Sequence, residues 1–238
     1  MKNLLIAILV LSTLGATGAL AAGPPDQLSS ETYADPLAPF NEKMFWFNIK
    51  LDKWILRPVA TGYADVLPED VRRHIGDFWD NVGVIPRFAN NLFQLKFDRA
   101  GTEVGRFLIN STLGGVGFFD VADPWFGLKE HDEDFGLTLG HYGVHMGPYL
   151  VLPFFGPSSI RDTVGRAVDG SMNPMSYTLP WYISFPAQAG ATVASAVNYR
   201  SLNLQLFEDV DRYAVDLYGA VQDAYIQRRT KREAESTF

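Results

Sequence analysis

The chain has no cysteine among its 238 residues, which excludes disulfides, thiol chemistry and acylation of an N-terminal cysteine. Basic residues are in the minority. Twenty Lys and Arg stand against 27 Asp and Glu, a formal net charge of −7 at pH 7, and this balance argues against a nucleic-acid partner, which would demand a basic face. Also missing is any unbroken apolar helix of about 20 residues, the length needed to cross a bilayer. No segment shows the sustained alternation with turn signals that would call for a sheet or an outer-membrane barrel.

Charge itself is absent from three stretches. Charged residues make up 20% of the chain, yet Gly170 to Tyr199 holds thirty consecutive residues without Asp, Glu, Lys or Arg. Phe135 to Ile160 holds twenty-six more if His141 and His145 are neutral, and Phe107 to Phe119 another thirteen. In a water-soluble protein some part of each element faces water and interrupts such stretches. Pro174, Pro180, Pro186 and Gly190 are expected to break the longest one into pieces. Broken apolar segments can sit at membrane depth when protein or a wet cavity satisfies their backbone. The same gaps also fit a large buried core with aromatic loops.

What is present begins with MKNLLIAILVLSTLGATGALAAGPPDQ. One lysine, an apolar run from Leu4 to Leu14 and small residues ending at Ala19-Leu20-Ala21 have the layout of a secretory signal peptide over residues 1–21. The mature chain is expected to start at Ala22, with a flexible lead over 22–34. Without Lys2 the balance is 19 − 27 = −8.

The rest reads as helices. Asp35-Pro36 offers an N-cap and a proline for the first turn of a helix reaching about Leu56. On it Phe40, Met44, Phe47, Leu51, Trp54 and Ile55 form one stripe, and Phe45, Ile49 and Leu56 gather opposite with Trp46 beside them. Apolar matter on two faces suits a helix between two core layers, or one between core and lipid. Trp46 and Trp54 suit an interfacial belt, though aromatic residues suit cores equally well.

Pro68 with Glu69 and Asp70 begins an ordinary amphipathic helix carrying Val71, Ile75, Phe78, Trp79 and Val82. Pro86 starts a shorter piece to Phe93, and Asp98 caps another, with Val104, Phe107 and Leu108 on its apolar side, that ends at Gly114-Gly115. Ser159 to Asp162 has the form of a capping box opening a helix towards Val168. From Ser201, Leu206, Val210, Tyr213, Leu217, Val221 and Tyr225 follow at steps of four or three, which predicts one long amphipathic helix ending in the solvated run RRTKREAES.

Chemical readings are poorly served. Ser158 or Ser159 with His141 and Asp162 supplies the residue types of a hydrolase, but Gly156-Pro-Ser-Ser is not a nucleophile elbow and Ser159 is better used as a helix start. His141 and His145 could share a metal only on one helix, which Gly143, Gly147 and Pro148 make improbable. Leu113-Gly-Gly-Val-Gly117 lacks the spacing of a dinucleotide fingerprint and the lysine of a phosphate loop, so its glycines suit a tight hairpin or close packing. No catalytic residue, metal or cofactor is expected.

Four blocks invite a name: DPLAPFNEKMFWFN at 35–48, RPVATGYADVLPEDVR at 57–72, FLINSTLGGVGFFDVA at 107–122, and FGLTLGHYGVHMGPYLVLPFFGPSSIRDTVG at 135–165. Together they resemble the MlaA (VacJ) family, in order and spacing, from about Asp35 to Tyr225. The resemblance implies a mainly α-helical domain over 35–228, with a solvated tail over 229–238. Its amphipathic and broken helices would form a ring embedded in the inner leaflet of the outer membrane, around an amphipathic channel.

It further implies passive transport without bond chemistry. Phospholipid that has strayed to the outer leaflet would pass to a periplasmic lipid carrier, beside a trimeric porin, and outer-membrane lipid asymmetry would be maintained. By analogy Gly114, Gly115, Gly117 and Phe118 form a candidate gate hairpin. His141, Tyr142, Tyr149, Phe154 and Phe155 are candidate channel or membrane framework, and Trp46, Trp54 and Trp181 candidate membrane-interface residues. Many relatives carry a lipobox cysteine, which this sequence lacks, so no N-terminal lipid anchor is expected. A periplasmic lipid hydrolase using Ser159 and His141, or a scaffold for a porin, are the competing readings.

Overall fold

The computed structural model describes residues 35–173 and 175–237. The expected signal peptide, cleavage point and lead lie outside these residues. The described chain is mainly α-helical. We number the helices α1 (Ala38–Leu51), α2 (Arg57–Val66), α3 (Glu69–Val82), α4 (Val84–Phe93), α5 (Phe97–Thr112), α6 (Ala122–Phe126), α7 (Phe135–His141), α8 (Ile160–Ser171), α9 (Met175–Thr178), α10 (Trp181–Leu202), α11 (Leu204–Tyr213) and α12 (Leu217–Thr237). Strands β1 (Tyr149–Leu152) and β2 (Gly156–Ser159) form one antiparallel hairpin, with Tyr149 opposite Ser159.

Packing between elements closes a circuit. From α1 it runs through α2 to α10, on to α3, to α5 and its partner α4, then to α7, α12 and the hairpin, which returns to α1. The ring expected from the resemblance therefore has a contact path around it. No helix among the described residues is long and apolar enough to cross a membrane.

The hairpin was not legible as a sheet, and side chains explain how so short a strand pair holds. Asn41 donates to the Tyr149 carbonyl (3.0 Å) and accepts from the Val151 N–H (2.8 Å). One face of α1 further along, Asn48 donates to Leu152 O (2.9 Å) and accepts from the Phe154 N–H (2.8 Å). Two carboxamides seven residues apart thus satisfy the free edge of β1, as a neighbouring strand would.

Several boundaries differ from the sequence reading. The first helix starts at Ala38, because Asp35 accepts from the Leu37 N–H (3.1 Å) and the Asn41 amide (2.9 Å) before it. It does not stop at Leu56. A π-helical turn over Asp52–Leu56, closed by the Arg57 N–H on the Asp52 carbonyl, carries the chain past Pro58 into α2. Pro186 and Gly190 do not break α10, since a proline in the second turn removes one hydrogen bond of a long helix. The long helix expected from Ser201 is two, parted where Ala214 is extended and the Asp216 side chain accepts from the Gly219 N–H (3.1 Å).

Over its described residues, 229–237, the expected tail is only partly solvated. Helix α12 carries through it, and Arg229 is only 2% exposed, paired with Asp134 (2.6 Å) and Asp162 (2.6 Å). Ser236 is buried as well, donating to Gln94 (2.8 Å). Arg229, Arg232 and Glu233 find partners in Asp132 and Asp134 before α7 and in Arg161 and Asp162 of α8, where pairing replaces hydration, while Lys231 and Glu235 stay exposed.

Candidate functional site

An apolar cluster of Phe45, Tyr149, Val151, Phe207, Val221, Tyr225 and Ile226 joins α1, β1, α11 and α12. Elsewhere the burial is inverted. Helix α5 buries Ala100, Glu103, Arg106 and Asn110, spaced to line one face, and exposes Phe97, Val104, Phe107 and Leu108. Helix α4 buries Arg87, Asn90 and Asn91 beside Val84, and α3 buries Arg72 and Asn81 while exposing Val71. On α8 the buried set includes Arg161, Asp162 and Asp169, with Ile160 and Val164 outside, and on α10 it is Ser184, Ser195, Ala196, Asn198, Arg200 and Ser201. Exposed apolar area on this scale marks a surface meant for something other than water.

Within this polar interior a cleft is lined by Asp77, Asp80 and Asn81 of α3, Arg87 of α4, Arg106 and Asn110 of α5, then Asp120 and Glu130. Every lining residue is polar. Asp120 accepts from Arg106 Nη2 and from Asn110 Nδ2, both at 2.9 Å, and Arg106 Nη1 donates to the Leu128 carbonyl (2.5 Å). Asn110 Oδ1 accepts from the Val121 and Ala122 N–H groups (3.0 and 2.9 Å), which anchors the start of α6. Arg87 donates to the fully buried Glu103 (2.7 Å), whose other oxygen accepts from the His131 N–H (2.7 Å). The Nε–H of Arg106 is buried with no hydrogen-bond partner.

The two sides of the cleft differ electrostatically. At Asp77, burial pushes the carboxyl up; the His74 contact opposes it, and the Asp120 and Asp80 charges push it further. At Asp120 burial also acts upwards, but the hydrogen bonds from Arg106 and Asn110 outweigh it and hold the carboxyl below its ordinary value.

The glycine segment after α5 lies against this wall. A Cβ on Gly117 would come 2.4 Å from Asn81 Nδ2, and one on Gly114 would come 2.1 Å from the Phe119 carbonyl. Gly115 and Gly117 have φ of +60° and +89°, and Phe118 stacks on Phe78 with centroids 4.9 Å apart. The glycines therefore serve a close approach to a cleft residue. The segment is a helix-terminal turn, with Gly117 N–H on Asn110 O (2.8 Å) and Phe119 N–H on Gly114 O (2.9 Å).

The other expected residues do not gather at the cleft. Tyr149 belongs to the buried apolar cluster. His141, Tyr142, Phe154 and Phe155 are exposed, with the Tyr142 hydroxyl donating to the Phe93 carbonyl and Phe154 edge-on to Phe47 (5.3 Å). Trp46, Trp54 and Trp181 are on the exterior, the last two 76% and 80% exposed.

Ser159 accepts from the Asp162 N–H (3.1 Å) as a helix cap, and Asp162 is held by Arg229 and by the Tyr225 hydroxyl (2.5 Å). Among the described residues no hydrogen bond joins either to His141, so the hydrolase set is not assembled.

The cleft residues themselves escaped the sequence reading. The signal that could have found them is the polar stripe Glu103, Arg106, Asn110 opposite an apolar one, which reads as a solvent face unless the apolar side is suspected of being outside.

The family described as "MlaA lipoprotein" matches residues 33–232. The chain is similar to the Escherichia coli K12 protein named "Intermembrane phospholipid transport system lipoprotein MlaA", at 33% identity over 95% of this chain and 87% of that protein. The Haemophilus influenzae protein of the same name is 30% identical over 95% and 89%. A Rickettsia felis protein named only as uncharacterized is 38% identical over 82% and 76%. A solved chain from "Structural basis for maintenance of bacterial outer membrane lipid asymmetry" superposes with a TM-score of 0.71 at 34% identity, covering 84% of this chain and 99% of that one.

Proposed function

This chain belongs to the MlaA family, and on that premise we propose that it is a passive phospholipid conduit of the outer membrane, not an enzyme. It takes phospholipid from the outer leaflet and yields it on the periplasmic side to a lipid carrier, with a trimeric porin as its neighbour. The observation that carries this reading is the inverted burial of α3, α4, α5, α8 and α10, polar inside and apolar outside. Hydrocarbon accepts such an exterior, while a headgroup, costly to move through hydrocarbon, needs the polar interior. The relatives' names support phospholipid as the cargo; the porin and the carrier are carried by the family resemblance alone. Trp46, Trp54 and Trp181 are placed by this reading at the interface, where an apolar ring meets a polar tip.

The segment Gly114, Gly115, Gly117 and Phe118 is proposed as the gate, because its contacts with Asn81 and Asn110 couple it to the cleft wall. The deciding measurement combines fractionation with an assay of surface-exposed phospholipid in a deletion strain. The protein is expected to need detergent for release, and its loss to raise outer-leaflet phospholipid. Release as a soluble species, with unchanged surface lipid, would overturn the reading.

A further inference from the structure

We propose that the outer side of α1, with the π-helical turn that follows it, is an attachment face that recognises an anionic phospholipid surface. This rests on the membrane placement of the conduit reading above and names the lipid class that the face prefers. Lys43, Trp46, Phe47 and Lys50 are three or four residues apart, so they share one side of α1, and Trp54 stands four residues further on. All are exposed, as is Lys53. The opposite side of the helix is committed to the protein: Phe45 is in the apolar cluster, and Asn41 and Asn48 hold β1. The π-helical turn is pinned from within, since Asp52 accepts from the fully buried Arg200 (2.8 and 3.2 Å), and none of its own residues is buried.

Charge singles out the occupant. Two exposed cations on other helices are paired along their own helix, Arg73 with Glu69 and Lys231 with Glu235 (3.8 Å). Lys43, Lys50 and Lys53 have no ion pair among the described residues, in a chain whose net charge is −7. Glu42, the exposed acid of α1, is next to Lys43 in sequence and so faces another side. Lysine stems lie along apolar surface while the ammonium reaches outwards, and indole rings settle where acyl chains meet headgroups. Interleaved in this way, the rings enter the acyl boundary and the ammoniums stand at the phosphates, as on an interfacial helix. Phe154 at the hairpin turn, edge-on to Phe47 (5.3 Å) and exposed, widens the apolar part. An anionic surface then gains about fivefold in attraction for each lysine, whereas a zwitterionic surface offers only the apolar contact.

The test dilutes the full chain from detergent into a mixture of two vesicle populations of different density, phosphatidylcholine alone and phosphatidylcholine with an equal part of phosphatidylglycerol, and reads the ratio of bound protein after flotation. At low salt the anionic vesicles are expected to take at least about tenfold more, and at about 1 M salt, where charges act over about 3 Å, the ratio should fall towards one. Lys43→Gln, Lys50→Gln and Lys53→Gln together should bring the low-salt ratio towards one while binding persists, with circular dichroism checking the fold. If that variant does not fold, Lys50→Gln alone should lower the ratio about fivefold. Lys129→Gln, Lys231→Gln and Arg212→Gln together remove the same charge from exposed positions elsewhere and should leave the ratio unchanged. Trp54→Ala should weaken binding to both populations alike.

A ratio of one in the unaltered protein, or a ratio that the α1 substitutions do not move, overturns anionic recognition and leaves membrane attachment standing. A ratio lowered equally by the control substitutions assigns the effect to overall charge and overturns the assignment to α1. Loss of porin co-purification in the α1 variant, with an unchanged vesicle ratio, would give the face to the porin and overturn the lipid assignment. No binding to either population overturns this inference together with the membrane placement it rests on.

Discussion

Around Tyr225 the interior is made of Phe45, Val151, Phe207, Val221 and Ile226, as in a water-soluble domain. Around Glu103 and Asp134 it is made of Arg87, Arg106, Asn110, Asp162 and Arg229, while Phe97, Val104, Phe107 and Leu108 of α5 and Ile160 and Val164 of α8 point outwards. The first interior is held by transfer of apolar area out of water. The second cannot be, since its apolar area is on the outside, and it is held by mutually satisfied charges and amides. One chain thus carries two solvent preferences, and Asp162 links them, accepting from Tyr225 on one side and Arg229 on the other.

The sharpest way to break the comparison is to remove one partner from the polar interior. Arg87→Met leaves Glu103 fully buried without its cation, and the expected loss is about 3–5 kcal/mol of folding stability, measured by denaturant titration in detergent. A loss of a few tenths would mean that the charges are hydrated after all. In the apolar interior the corresponding change, Ile226→Ala, is expected to cost about 2–5 kcal/mol through lost burial and a residual cavity, by the same titration.

Gly117→Ala sits at the turn against the cleft. With φ at +89° and its Cβ 2.4 Å from Asn81, the expected loss is about 1–3 kcal/mol, and a shift in the thermal midpoint checks it.

The two buried carboxylates beside Asn90 and Arg229 should respond oppositely to pH. Burial, added to the charge of Asp134, pushes Asp169 up to about 7. The native form then holds its proton more tightly than the unfolded chain, so this contribution is complete below about pH 4 and is lost as pH rises through about 7. Burial opposes ionisation at Asp134 too, but Arg229 and Arg232 hold it well below the ordinary range, so its contribution is lost as pH falls. Asp169→Asn should remove a slope of at most about 1.4 kcal/mol per pH unit between those limits, seen by comparing stability at pH 5 and 7.5.

Smallest is the change on the apolar exterior. Phe107→Gln is expected to alter folding stability in detergent by no more than about 0.5 kcal/mol, yet to weaken vesicle binding in a flotation assay. A large folding loss would place Phe107 in a core and dissolve the distinction between the two regions.

Local signals were read well from the residues. The Ser159 cap opens α8 where expected, Glu69 begins α3, and the charge-free stretches carry exposed Phe, Trp and Val, on α5, on α10 and at the turn of the hairpin. Short elements were not readable. Strand β2 is Gly-Pro-Ser-Ser, with no alternation to betray it, and β1 depends on carboxamides a hundred residues earlier. The cleft was hidden for a related reason: Asp77, Arg87, Arg106, Asp120 and Glu130 come from separate segments, and nothing local marks them as neighbours.

By itself the sequence determined periodicity, the starts of several helices, the missing charges and the family blocks, because each depends on residues within a few turns of one another. The tertiary structure alone decided which face of each amphipathic helix is the inside. A helical period separates polar from apolar sides but does not name the solvent. Only the pairing of Arg87 with Glu103, Arg106 with Asp120 and Arg229 with Asp134 and Asp162, made between separate segments, turns the polar faces inward and leaves the apolar faces outside.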